Sequence, residues 1–191
     1  MATLRTSRPA LAADPSKPHI ILVGLPGSGK TTVGALLAAR LGRAFLDFDQ
    51  EISRREGMSV SEIFAMRGEH QFRELERALT AELRHMGNMV LSSGGGWMTV
   101  AATVALIRPP AVLVYLRTTP ATALKWMGHG TVSRPLLMRP DPRGELERLL
   151  AARKSAYESA DLIVDVERLD PQRVTDMIAA ELEAIAVLNS R

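Results

Sequence analysis

The chain alternates between short apolar runs and longer stretches in which apolar residues recur every three or four positions. The short runs are typical of buried strands and occupy residues 19–25, 44–49, 89–93, 111–116 and 162–166. The longer stretches predict amphipathic helices over residues 30–41, 59–66, 69–86, 99–107, 119–127, 143–158 and 171–188. Strands that alternate with helices favour an α/β fold with a parallel sheet covered on both faces.

One long connection interrupts this alternation. Residues 128–142 are rich in glycine, proline and arginine and show no periodicity, although connections in compact domains are usually short. We therefore expect a mobile lid over a ligand site. Because there is no repeat and no domain break, residues 18–191 are predicted to form one domain. Residues 1–17 lack the apolar run of a signal peptide and are predicted to be a flexible leader.

Composition and charge narrow the class of protein. A chain of 191 residues, of which 46% are apolar, is long enough for one domain with a substantial core. The net charge of +3 is too small to indicate a nucleic-acid-binding surface. The absence of cysteine excludes disulfides and thiolate metal sites, and no apolar run reaches the ~18 residues of a membrane span. We expect a cytoplasmic protein that binds neither nucleic acid nor membrane.

The sequence GLPGSGKT at residues 24–31 follows the first predicted strand and leads into the first predicted helix. In this context the pattern G-x-x-x-x-G-K-[ST] binds the phosphates of a nucleoside triphosphate. Backbone N–H groups attract the phosphate oxygens, Lys30 reaches the β- and γ-phosphates, and the hydroxyl of Thr31 is a ligand for Mg²⁺. The alternative is a glycine-rich turn with a lysine by chance. The predicted nucleotide-binding residues of the loop are Gly27, Ser28, Gly29, Lys30, Thr31 and Thr32.

Two aspartates, Asp47 and Asp49, come at the end of the second predicted strand. Since side chains alternate along a strand, both are expected to point the same way. They then lie beyond the carboxyl ends of the sheet, where ligands bind in this class of fold. One acid is available for Mg²⁺ and the other for a substrate hydroxyl group. The alternative is that the two aspartates cap the helix that follows.

Two further features indicate a site for the acceptor of the phosphate. Arg73 and Glu76 are three residues apart on one face of a predicted helix, so they can form an ion pair, either in the site or on the solvated surface. Three consecutive glycines, residues 94–96, follow the third predicted strand. Glycines at a strand end expose backbone N–H groups and permit close approach of a ligand.

The order of these motifs resembles that of the shikimate kinase family. After the glycine-rich loop come DFD, then EIF, GE and FRELE, then GGG, then RPLL, and finally an arginine and a tyrosine on one helix. The resemblance covers the chain from Ile20 to the last helix. The ordered set of motifs makes it specific, because gluconate and adenylate kinases share only the loop and the fold.

The resemblance implies a three-layer P-loop NTPase fold with five parallel strands in the order 2-3-1-4-5, flanking helices and a lid. It implies a monomeric enzyme that transfers the γ-phosphate of ATP to the 3-hydroxyl of shikimate with Mg²⁺ as cofactor. Two other functions stay open: a kinase of another small hydroxy acid or polyol, and a kinase-derived module that senses a ligand without turnover. Such a module would be expected to lose Lys30, Asp49 or Arg134, and all three are present.

The resemblance also implies a role for each site residue. Asp47 assists the metal through water with Ser92 nearby, and Glu76 orients Arg73. On sequence alone, Arg153 can instead face solvent and Arg134 can be a surface residue. The implied catalytic residues are Lys30, Asp49 and Arg134, of which Arg134 on the lid also contacts the transferring phosphate. The implied substrate-binding residues are Asp49, Arg73, Gly94, Gly95, Gly96 and Arg153, and the implied metal ligands are Thr31 and Asp47.

Three positions depart from the family pattern. Lys125 and Trp126 stand where the family has an arginine that stacks on adenine, and an aromatic face can replace a guanidinium plane or pack on the core instead. Pro171 has its expected place beside the adenine, but Leu169 stands where the family has an arginine. Trp97 follows the glycines in place of a small residue, and we expect it to narrow or reshape the acceptor site.

Overall fold

The computed structural model describes residues 17–128 and 140–189. At its centre lies one sheet of five parallel strands, which span Ile20–Val23 (β1), Ala44–Asp47 (β2), Met89–Ser92 (β3), Val112–Arg117 (β4) and Leu162–Asp165 (β5). Their order is β2-β3-β1-β4-β5, the order that the resemblance implied. β1 lies in the middle of the sheet, paired with β3 on one side and β4 on the other. The loop that follows β1 therefore leaves the sheet near its centre.

Helices cover both faces of this sheet. In the described residues the helices span Lys30–Leu41 (α1), Phe48–Glu56 (α2), Val60–Leu83 (α3), Ala101–Val104 (α4), Pro120–Met127 (α5), Pro142–Glu158 (α6) and Pro171–Asn189 (α7). Alternate residues of β1 enter different cores: Ile20 and Leu22 pack with residues of α1 and α7, whereas Ile21 and Val23 pack with residues of α2, α3 and α6. Burial on both faces explains why the central strands β1, β3 and β4 read as apolar runs.

Capping residues set the starts of the helices that surround the site. The hydroxyl of Ser59 accepts a hydrogen bond from the N–H of Glu62, whose carboxylate accepts one from the N–H of Ser59, so a capping box precedes α3. The side chain of Thr119 caps α5 by accepting a hydrogen bond from the N–H of Thr122. Within α3, Gly68 has a non-helical backbone (φ 79°) that divides the helix into the two predicted segments.

Two predicted elements differ from the structure. β2 ends at Asp47, and Asp49 lies in the first turn of α2 instead of in a strand, because the carboxylate of Asp47 caps that helix. The predicted helix over residues 99–107 is reduced to the single turn of α4 after a 3₁₀ turn at Trp97–Thr99. This segment is rich in β-branched residues and runs into two prolines, which disfavours a longer helix.

Some predictions fall on residues that the structure does not describe. Most of the predicted lid lies in residues 129–139, and most of the predicted leader lies in residues 1–16, both outside the described ranges. The lid and the single domain over residues 18–191 therefore stay predictions. None of the helices in the described ranges has the length and apolarity needed to cross a membrane.

Candidate active site

A cavity of about 1240 Å³ opens at the carboxyl ends of the parallel strands. This volume is larger than the ~300–1,000 Å³ usual for one ligand, so the cavity has room for more than one small molecule. The cavity is lined by the loop after β1, the ends of β2 and β3, parts of α3 and α6, and the connection from β5 to α7. Predicted site residues in this lining are Gly27, Ser28, Gly29, Lys30, Thr31, Thr32, Asp47, Asp49, Arg73, Ser92, Gly94, Gly95, Gly96, Trp126, Arg153 and Pro171.

The glycine-rich loop forms one end of the cavity. The Nζ of Lys30 donates hydrogen bonds to the carbonyl oxygens of Gly24 at 3.0 Å and Leu25 at 2.8 Å, which hold the amine over the loop. α1 begins at Lys30, so the first N–H groups of the helix face the same loop. A cation and a helix N-terminus that meet in one loop provide the chemistry that binds a chain of phosphates.

Two oxygen donors meet beside this loop. The hydroxyl of Thr31 donates to Oδ2 of Asp47 at 2.7 Å, and Oδ1 of the same carboxylate accepts from the N–H of Gln50 at 3.2 Å. The capping interpretation is therefore correct for Asp47, but it leaves the carboxylate in the cavity wall. A hydroxyl and a carboxylate are hard oxygen donors, and together they fit a divalent cation such as Mg²⁺.

Asp49 reaches the cavity for a reason other than the one expected. The alternation argument is wrong, since only Asp47 belongs to the strand. The chain turns into α2 directly after it, and the first turn of the helix brings the carboxylate of Asp49 against Gly94. Both acids line the cavity, one beside the loop and one beside the glycines.

Arg73 enters the cavity from α3 between two carboxylates. Its Nη1 donates to Oε2 of Glu76 at 2.6 Å, and its Nη2 donates to Oε1 of Glu69 at 2.7 Å. The pair expected from the spacing of Arg73 and Glu76 is present, and only 2% of the Glu76 side chain is exposed. The alternative of a solvated surface pair is wrong here. A buried partner of this kind fixes the direction of the guanidinium.

The glycines at residues 94–96 form a floor for these charged side chains. A Cβ atom on Gly96 would overlap the guanidinium of Arg73, and one on Gly94 would overlap the carboxylate of Glu76. Only glycine lets the side chains approach the backbone this closely. Packing of the charged cluster therefore requires glycine here, independently of any ligand.

Arg153 approaches the same floor from α6. It is half-buried, lines the cavity and packs against Gly95, so the solvent-facing alternative is wrong. One turn later, the buried hydroxyl of Tyr157 donates to the carbonyl oxygen of Gly95 at 2.6 Å. Burial raises the pKa of Tyr157 and keeps its hydroxyl protonated as a donor, although the nearby Arg153 opposes this rise. Tyr157 thus ties α6, and with it Arg153, to the floor.

Glu76 is a carboxyl group held in an unusual environment. Burial raises its pKa to about 7, and the guanidinium of Arg73 opposes part of that rise. Its Oε1 accepts no hydrogen bond from the described residues, and the charge of Asp49 raises the pKa further. The carboxyl therefore depends on Arg73 to stay ionised near neutral pH.

We expect Glu76→Gln to change the pH dependence of stability. A carboxyl with a pKa of about 7 when folded, against 4.5 normally, binds its proton more tightly in the folded chain. Its contribution to the free energy of unfolding is complete below the normal pKa and is lost as the pH rises towards 7. The loss amounts to about 3 kcal/mol at most. Denaturant unfolding between pH 4.5 and about 7 should show the free energy of unfolding of the wild type falling relative to that of the variant. Parallel curves would mean that the carboxyl titrates normally.

The end of the cavity beyond the loop is apolar. Trp126 on α5 is 44% exposed and lines this end together with Pro171 at the start of α7. Leu169 lies in the same wall, where the family pattern has an arginine. Flat aromatic and aliphatic surfaces of this kind suit the faces of a purine ring.

Trp97 does not line the cavity. Its side chain is fully buried, its N–H donates to Oγ1 of Thr80 at 2.9 Å, and its ring packs edge-on against Phe48. The expectation that Trp97 narrows the acceptor site is wrong, because the 3₁₀ turn after the glycines directs the ring into the core. Phe64 and Phe72 of α3 line this region instead, with ring centroids 4.8 Å apart.

Several of these residues were not identified from the sequence as parts of the site. Phe64 and Phe72 belong to an amphipathic helix, where an apolar residue normally indicates the core. Glu69 directly follows Gly68, and its four-residue spacing from Arg73 was the available signal. Arg134, the implied catalytic residue of the lid, lies outside the described residues, so its role stays a prediction.

Comparison with known proteins identifies the family. The family model of shikimate kinase matches residues 26–183 of the chain. The chain belongs to the shikimate kinase family. The shikimate kinase of Thermobifida fusca is 44% identical over 170 residues, which are 88% of this chain and 97% of the relative. That of Moorella thermoacetica is 40% identical over 166 residues, which are 87% of this chain and 95% of the relative.

Solved structures of shikimate kinases have the same fold. The enzyme of Acinetobacter baumannii, solved in complex with shikimate, is 35% identical with a TM-score of 0.83 over 88% of this chain and 94% of that one. The Aquifex aeolicus shikimate kinase is 32% identical with a TM-score of 0.73, over 88% of this chain and 98% of that one. A gluconokinase of Sinorhizobium meliloti, 18% identical with a TM-score of 0.59, shares the fold alone. Shikimate kinases are ATP-dependent, which implies a divalent metal.

Proposed function

We propose that this chain is a shikimate kinase that transfers the γ-phosphoryl group of ATP to the 3-hydroxyl of shikimate and releases shikimate 3-phosphate and ADP. The observation that carries the proposal is one cavity lined both by a phosphate-binding loop and by two arginines and an aspartate. The similarity to a kinase solved with shikimate bound supports the choice of acceptor.

The acceptor end of the cavity has the chemistry to bind a hydroxy acid. The guanidinium groups of Arg73 and Arg153 lie over neighbouring glycines of the floor, and a planar guanidinium binds a carboxylate through two parallel hydrogen bonds. Asp49 lies beside the same floor. We assign it to orient the 3-hydroxyl and to accept its proton as the new oxygen–phosphorus bond forms.

Phosphoryl transfer needs positioning and charge neutralisation more than covalent help from the protein. Lys30 binds the β- and γ-phosphates, and Arg134 of the lid reaches the transferring group. Thr31 and Asp47 would hold Mg²⁺, with Ser92 nearby as a further oxygen donor. Mg²⁺ supplies further positive charge to the phosphate oxygens when it is bound. Closure of the lid over residues 128–142 excludes water, which would otherwise compete as the acceptor.

The apolar end of the cavity is assigned to the adenine base. Trp126 stacks on one face of the ring in place of the family's arginine, and Pro171 packs against the base. The loop residues 27–32 then extend along the phosphates from this end towards the acceptor. We further propose that residues 18–191 act as one monomeric kinase domain in the cytoplasm.

We expect ADP to quench the fluorescence of Trp126. This side chain is 44% exposed in the cavity wall, whereas Trp97 is buried in the core away from the ligand. We therefore expect ADP to change the fluorescence of Trp126 and to leave that of Trp97 unchanged. In Trp126→Phe the quench should disappear, and the affinity for ADP should fall about fivefold or more through the loss of stacking area. A quench that persists in this variant, with unchanged affinity, would remove Trp126 from the base site.

The function is tested by coupled ADP release with shikimate and a panel of other small hydroxy acids and polyols. The proposal predicts ATP-dependent turnover with shikimate as the preferred acceptor. Preferred turnover of another compound would change the acceptor and keep the reaction class. Binding of shikimate without ADP release would indicate a ligand-sensing module instead of an enzyme.

A further inference from the structure

The two carboxylates that hold Arg73 differ strongly in their surroundings. Glu76 is a buried partner, with 2% of its side chain exposed and an oxygen 2.6 Å from Nη1 of Arg73. Glu69 is an exposed partner, with 64% of its side chain exposed and an oxygen 2.7 Å from Nη2. The guanidinium therefore has one enclosed carboxylate and one that solvent reaches.

The exposed partner lies on the cavity side of the guanidinium. Glu69 lines the cavity together with Arg73, and Nη2, the nitrogen that it contacts, lies over Gly96 of the floor. This nitrogen is the donor that an acidic acceptor would need on the same floor. A carboxylate of the chain and a carboxylate of the acceptor therefore compete for the same guanidinium nitrogen.

The two pairs also differ in how easily they break. The contact with Glu69 is the easier one to break, because water solvates its 64% exposed carboxylate once it separates, and an acceptor carboxylate then takes its place beside the enclosed guanidinium. Breaking the buried pair would instead leave the carboxylate of Glu76 without a cation inside the protein, which is strongly unfavourable. Exchange of partners at Nη2 is thus possible while the contact at Nη1 persists.

We propose that Glu69 is an internal substitute for the acceptor carboxylate: it contacts Nη2 of Arg73 until the acidic substrate displaces it. This inference rests on the proposed function of the same site. It also gives Glu69 a part in specificity. A neutral polyol has no anionic group with which to displace Glu69, whereas an acid replaces one carboxylate by another and leaves the charge on Arg73 compensated.

The test is Glu69→Gln, which keeps the size of the side chain and removes its charge. The dissociation constant for shikimate, measured by calorimetry, should fall about two- to fivefold, as expected when the competing carboxylate is itself exposed to solvent. The KM for shikimate should fall with it, while kcat and the KM for ATP stay unchanged. Glu74→Gln is the matched control, since Glu74 is an exposed acid of the same helix outside the cavity lining, 3.4 Å from Arg77. It should not change shikimate affinity.

The sign of the change separates this inference from a supporting role for Glu69. If Glu69 only oriented Arg73, its replacement would weaken shikimate binding, and unchanged or weaker binding overturns the inference. An equal gain in both variants would also overturn it, because it would reflect net charge alone. If the wild type turns over shikimate but a variant gives one of these contradicting results, only the inference about Glu69 is overturned and the proposed function stands. Absence of both turnover and shikimate binding in the wild type removes the function and the inference together.

Discussion

Lys30→Met is expected to lower kcat for phosphoryl transfer by about a thousandfold or more, while shikimate binding stays measurable. Methionine retains the length of the side chain but brings no positive charge to the phosphates. The acceptor end of the cavity depends on Arg73 and Arg153, which come from other helices and do not contact this amine in the hydrogen bonds described. Coupled ADP release at saturating ATP measures the rate, and calorimetry measures the affinity for shikimate.

A matched control is available on α6. Lys154 is 65% exposed and lies 3.8 Å from Glu158, away from the lining of the main cavity. Lys154→Met removes the same charge and should leave kcat and shikimate affinity at wild-type values. Wild-type rates in Lys30→Met would show that the glycine-rich loop does not bind the reacting nucleotide. Thermal unfolding identifies any loss of activity that comes from loss of the fold.

Arg73→Met should weaken shikimate binding by about a hundredfold or more, because a carboxylate loses a charged partner in a largely enclosed site. The Arg73 side chain is only 19% exposed, so water replaces the lost contact poorly. The substitution also removes the cation from the buried carboxyl of Glu76, whose pKa then rises further, and stability should fall by about 3 kcal/mol. The affinity is measured by calorimetry and the stability by denaturant unfolding.

Two further variants separate binding from folding. Arg73→Met combined with Glu76→Gln removes the uncompensated carboxyl, so it should recover most of the stability and none of the affinity. Arg77→Met, one turn along α3, removes a 57% exposed arginine and should leave the shikimate affinity and the stability unchanged. Wild-type affinity for shikimate in Arg73→Met would exclude this arginine from the acceptor site.

The parts of the molecule that were predictable depend on short local patterns. The loop around Lys30 is identified by eight consecutive residues together with the strand before them and the helix after them. The ion pair of Arg73 and Glu76 follows from helical spacing, and the strand order follows from the resemblance to the family. Each of these features needs only information that lies close together in the chain or that the family shares.

The incorrect expectations concern the direction of side chains, which single turns of the chain decide. Asp49 was assigned to a strand, although the capping bond of Asp47 starts a helix there. Trp97 was expected in the acceptor site, but a single 3₁₀ turn directs it to Thr80, 17 residues earlier in the chain. The four-residue spacing of Glu69 from Arg73 indicates an ion pair, but it does not distinguish a pair on the surface from a pair that lines a cavity. Such turns cost too little free energy to leave a clear pattern in the sequence.

The continuous cavity at the carboxyl ends of the strands determines the order of chemical events. Because the loop and the arginine cluster line the same space, we expect donor and acceptor to be present together and the phosphoryl group to pass directly between them. A single in-line displacement inverts the configuration of a chiral phosphorus atom. Initial-rate plots for the two substrates should accordingly intersect, and no exchange of label between ADP and ATP should occur without the acceptor.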